Sequence, residues 1–190
     1  MWITLLLQVA LAVPPARAVS PAVVRAAIAE AGRVWAPYGV AVDAAPDDDA
    51  ECGSDPDAGG IILRVVLIET RHAAITPGWQ GALGAITFSP GGAPVPSITV
   101  FLTGIERIVQ GARIFGRPSA QWPLAFRDQL FGRVLGRVLA HEIGHYLLRS
   151  PRHAADGLMR SLQLADDLVE PSRYRYTLAA PERARLGEGR

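Results

Sequence analysis

The chain has no lysine, no asparagine and a single cysteine, Cys52, among its 190 residues. The missing asparagine excludes an Asn-linked glycan. One cysteine cannot close an internal disulfide, so an exported domain of this size must rest on its apolar core and on any metal it holds. Cys52 lies in a polar loop far along the chain from the histidines. A thiolate can ligate a metal, and an unpaired thiol is the expected state. With lysine absent, all 19 basic residues are arginine; they nearly balance 18 acids, and the net charge of +1 argues against nucleic acid as a partner. The length and the 49% hydrophobic content suit one domain with a sizeable core.

Long apolar runs are scarce, and the first one opens the chain. Trp2 to Val13 is almost wholly apolar, about as long as a signal-peptide core and too short to span a bilayer comfortably. Ala16-Arg17-Ala18 is a small-x-small cleavage signal that places a mature start near Val19. Residues 1–18 are therefore expected to be a leader outside the fold, and residues 19–190 a single domain, secreted or periplasmic and free of the membrane after cleavage. No basic residue precedes the run, which leaves an uncleaved anchor as the alternative.

Ser20-Pro21 suits a helix start, and Val23, Val24, Ala27, Ile28, Ala31, Val34 and Trp35 continue as a helical stripe. A turn at Pro37-Tyr38-Gly39 precedes a short strand over residues 40–44. Residues 46–60 form an acidic Pro/Gly loop whose order does not match the calcium-binding loop. Residues 61–69 read as a central strand, 82–89 and 96–102 as two more, and 105–115 as a short helix. A long helix begins near Leu124, and short helices are expected over 162–169 and 181–186. No internal repeat is evident. The order predicts an α/β (α+β) domain: a mixed, mostly four-stranded sheet packed on the long helix, with a helix before it and a small helical region after it.

The chemistry concentrates on that helix. Residues 141–145 read His-Glu-Ile-Gly-His, and His153 follows. Four helical residues advance about 400°, so His141 and His145 project from nearly the same side and can reach one ion. Val134, Val138, His141, His145 and Leu148 share one stripe, where imidazoles are costly unless bonded or metal-bound. Zn²⁺ takes neutral imidazoles and, in catalytic sites, leaves a position open. Glu142, beside the pair, suits a base for a water molecule at the ion. His72, next to Arg71, is read as unrelated to the metal.

With Gly157-Leu158-Met159 downstream, these residues resemble the zincin metallopeptidases and, within them, the metzincins, over about 20 residues of this chain. The resemblance implies a zincin-like domain, an exported zinc-dependent endopeptidase with a peptide or protein substrate, a third histidine after the helix and a methionine turn below the metal. It assigns His141, His145 and His153 as ligands, Glu142 as general base and Met159 to the turn. The chain departs from the pattern at Leu148 and Pro151, where glycine and the third ligand are usual. Read physically, the helix continues a further half turn and Ser150-Pro151 breaks it. Asp156 is an alternative third ligand, as is Glu170 in a thermolysin-like arrangement. Tyr174 and Tyr176 are candidate hydroxyl donors, and Trp79 and Phe88 candidate groove residues. A monomer is expected. A silent zinc-stapled binding module and a non-peptidase zinc hydrolase are the competing functions.

Overall fold

The computed structural model describes residues 7–14, 19–45, 53–55, 60–69, 81–114, 116–161 and 165–188. Cys52, His72, Trp79 and Ala16-Arg17-Ala18 lie outside them. Ser20 caps α1 (Pro21–Trp35) as its sequence predicts: the hydroxyl accepts from the Val23 amide at 3.3 Å, with Pro21 in the first turn. The stripe from Val23 to Trp35 faces inward. A tight turn, Ala36–Tyr38, ends on Gly39 at φ 68 and leads into β2 (Val40–Ala44).

The main departure from the sequence reading is at the amino terminus. Leu7–Ala12, expected in a leader outside the fold, forms strand β1. It pairs in parallel with β2 on one side and with β4 (Gly60–Ile68) on the other. Val9 and Leu11 are each only 1% exposed. A short apolar run suits a signal core and a buried strand alike, and periodicity cannot separate them.

The sheet order is β2-β1-β4-β6-β5, with β3 (Gly53–Asp55) antiparallel to the start of β4. Strand β6 (Pro94–Phe101) runs parallel to β4, and β5 (Gly84–Phe88) runs antiparallel to β6 at the end of the sheet. The mixed α+β class holds, with six strands in place of the expected four. Helix α2 (Leu102–Gly111) starts directly at the end of β6, earlier than its sequence suggests. A small hairpin, β7 (Arg113–Ile114) and β8 (Arg117–Pro118), precedes α3 (Leu124–Leu147). Short helices α4 (Ala165–Val169) and α5 (Ala180–Glu188) close the chain. Among the described residues no helix is long and apolar enough to cross a membrane.

Helix α3 lies between α1 and the β5–β6 end of the sheet. Gly132 and Gly136 let α1 come close: side chains there would strike Ala26 and Glu30. One turn before the histidines, the fully buried Arg137 donates to Glu30 at 3.1 Å, to the Asp167 carbonyl at 2.5 Å and to the Ser172 carbonyl at 2.8 Å. Arg173 adds a second cation to Glu30. Burial alone would raise the Glu30 carboxyl; the Arg173 and Arg137 guanidinium groups outweigh this and hold it below its ordinary value. The cluster ties α1, α3 and the carboxyl-terminal segment together.

Candidate metal centre

Helix α3 places His141, Glu142 and His145 in the core, with Val134, Val138 and Leu148 on the same buried stripe. His145 Nε2 lies 3.1 Å from His141 Nε2 and 3.2 Å from His153 Nε2. The ligand atoms of the three imidazoles fall within 4.8 Å of one another, an arrangement that can hold a metal ion. The other ring nitrogens explain the orientation. His141 Nδ1 bonds the Leu158 carbonyl at 2.8 Å and His145 Nδ1 the Ser150 carbonyl at 2.7 Å. A carbonyl only accepts, so each Nδ1 carries the proton and each Nε2 presents a bare lone pair. Two lone pairs facing at 3.1 Å repel, and a shared cation turns that geometry into an attractive one. Burial, then the neighbouring His145, lowers His141 to about 4; burial lowers His145 and His153 as well. Each shift favours the neutral imidazole, the form that ligates.

The late position of His153 is accommodated by the end of α3, although not as expected. The helix stops at Leu147 with Leu148 as its cap, so it does not run on to Ser150-Pro151. The Arg149 amide donates to Tyr146 and the Ser150 amide to His145, the paired bonds of a Schellman cap. Arg149 takes the left-handed position usually given to glycine, at φ 47, a conformation costing a non-glycine residue about 1 kcal/mol. This cap delivers the Ser150 carbonyl to His145 and sends the chain back toward the other two rings.

Asp156 and Glu170 are both exposed and outside the histidine cluster, which leaves His153 as the third candidate ligand. Met159 is 1% exposed, and a side chain on Gly144, between the two helical histidines, would collide with its sulfur. The turn before it contains Gly157 at φ 74. Neither tyrosine faces the cleft: Tyr174 is on the surface, and Tyr176 is buried under the Arg137 guanidinium, 4.4 Å from its ring centre.

A cleft of about 680 Å³ opens at the three histidines, with Ile86, Phe88, Ile108 and Val138 on its walls. Glu142 lines it while only 4% exposed, and burial pushes its carboxyl up to about 8. A cation at the imidazoles would draw that value down again. Strand β5 passes close by: a Cβ on Gly84 would sit 2.8 Å from Val138 Cγ1 and 2.9 Å from Glu142 Oε1. Sequence reasoning does not reach Gly84, or the Ser150 and Leu158 carbonyls as imidazole partners, because two act through the backbone and the third through a missing side chain.

Comparison with protein-family models, curated proteins and solved structures finds no match to this chain.

Proposed function

We propose that this chain is a zinc-dependent endopeptidase of the metzincin kind. The observation that carries the reading is three imidazoles converging through Nε2 beside a buried carboxyl, in a cleft bordered by the terminal strand of the sheet. His141, His145 and His153 would hold the zinc, which when bound would supply a Lewis acid. Glu142 accepts the proton of the attacking water and passes it to the leaving amine. Burial raises this carboxyl above its ordinary value, and a cation at the imidazoles would oppose that shift and favour the ionised form that acts as base. Strand β5 ends the sheet among the described residues, and an extended substrate backbone adds to it as a further strand. Ile86, Phe88 and Ile108 favour an apolar substrate side chain.

Metal analysis tests the centre. Wild-type protein is expected to hold about one zinc per chain and His153→Ala almost none, because two imidazoles make an incomplete site. Full zinc content in the variant would move the third ligand elsewhere. The close approach of β5 gives a separate test with the metal retained. Gly84→Ala forces a methyl against Val138 and Glu142, so the base must shift. Misplacing a reacting group by about 1 Å costs on the order of 100-fold. We expect kcat/KM on a peptide substrate to fall about 10- to 100-fold at unchanged zinc content. Undiminished turnover would mean that β5 yields and that the base does not depend on this contact.

A further inference from the structure

The turn that follows α1 reaches His141 from two directions. Trp35, at 0% exposure, donates its indole N–H to the Ala140 carbonyl at 3.0 Å. That carbonyl belongs to the peptide unit joining Ala140 to His141. Tyr38, three residues on and in edge contact with Trp35 at 5.9 Å between ring centres, approaches by a longer route. Its hydroxyl oxygen accepts the Leu178 N–H at 2.7 Å. The Leu178 N–H and the Thr177 carbonyl lie on one planar peptide unit, so fixing one fixes the other. The Thr177 carbonyl accepts the Leu158 N–H at 2.8 Å. The Leu158 carbonyl, in turn, accepts His141 Nδ1 at 2.8 Å.

Leu158 and Leu178 are buried, at 0% and 2% exposure, while Tyr38 is half-buried and the Thr177 side of the peptide unit is exposed. Gly157 permits the approach, since a Cβ there would overlap the Thr177 oxygen. We infer that Tyr38 is a positioning residue for the metal centre, orienting the His141 ring through the 177–178 peptide unit and Leu158. The inference rests on the metal reading given above. It assigns to the α1 turn and the carboxyl-terminal segment, both remote from the ligands in sequence, the task of aiming one imidazole.

Tyr38→Phe tests it, keeping the ring against Trp35 and removing only the hydroxyl. Zinc affinity is measured by chelator competition at a temperature where circular dichroism shows the metal-free protein folded, and metal-free thermal midpoints are recorded beside it. Partners that orient a ligand are worth about 10- to 100-fold in metal affinity, and this one acts at one remove, so we expect a zinc Kd raised about tenfold. Gly157→Ala attacks the Thr177–Leu158 bond from the other side and should weaken zinc at least as much. It supplies the answer if Tyr38→Phe does not fold. Tyr174→Phe, on the surface, is the control and should match wild type. A lowered midpoint with a zinc Kd within twofold of wild type would assign Tyr38 to general packing and overturn the inference. Failure of the wild type to bind zinc at all would instead overturn the metal reading, and this inference with it.

Discussion

Glu142→Gln is expected to abolish peptide hydrolysis while zinc stays bound. Glutamine has the shape of glutamate, so the tight packing of this position against Gly84 and Val138 survives. What it removes is the ability to take a proton from water and return it to the amine. General base catalysis contributes about 10²- to 10⁴-fold, and one group serving both proton transfers puts the expected loss in kcat/KM at about 10³-fold or more. A peptide-library digest of the two proteins at equal zinc content checks it; comparable cleavage would remove Glu142 from its role. A second signature concerns stability. Burial holds the folded-state value at about 8, above the ordinary 4.5. The Glu142 carboxyl therefore contributes stability that is full below pH ~4.5 and is lost as pH rises through about 8. The glutamine variant has no such proton to lose. The histidines, held low by burial, contribute in the opposite sense in both proteins, so the expected signature is a wild-type midpoint that falls relative to the variant's between metal-free melts at pH 5 and pH 8.

Starting the chain at Val19 is expected to prevent folding. The segment removed contains β1, which is flanked on both sides by strands, and its loss leaves β2 with no neighbour in the sheet. Val9 and Leu11 alone, each 1% exposed, represent burial of about 1.5–3 kcal/mol apiece. The hydrogen bonds of two ladders add about 0.5–1.5 kcal/mol each. Set against a total stability of ~5–15 kcal/mol, losses of this size leave little or nothing. Thermal or urea unfolding followed by circular dichroism should give a sigmoidal transition for the full chain and none for the shortened one. A shortened chain with an unchanged midpoint would show that the sheet closes without β1.

The helices were the most legible part of the fold. Ser20-Pro21 and the stripe beneath it located α1, and the buried stripe from Val134 to Leu148 located α3, because a cap and a 3.6-residue period are local signals. His141 and His145 were legible for the same reason, whereas His153, beyond the end of α3, was reached only through the resemblance. β1 was not legible, because a short apolar run carries no mark of its future neighbours. The Glu30–Arg137 pair was also passed over. A single charge amid Val134, Leu135, Val138 and Leu139 did signal that a buried partner must exist, but not where. The groups that orient the imidazoles were beyond reach altogether: Ser150 and Leu158 contribute carbonyls that every residue possesses, and only the path of the chain brings them to the rings.

The cap at Arg149 bears on how ligand spacing should be understood. A left-handed residue and two backbone bonds reverse the chain within a few residues, and the remaining stretch to His153 has only to bridge the gap that is left. The count of residues between His145 and His153 is thus set by slack outside the helix. Insertions or deletions in that bend should be absorbed more readily than any change of register within α3, where a shift of one residue rotates an imidazole by about 100° and carries it out of the histidine cluster.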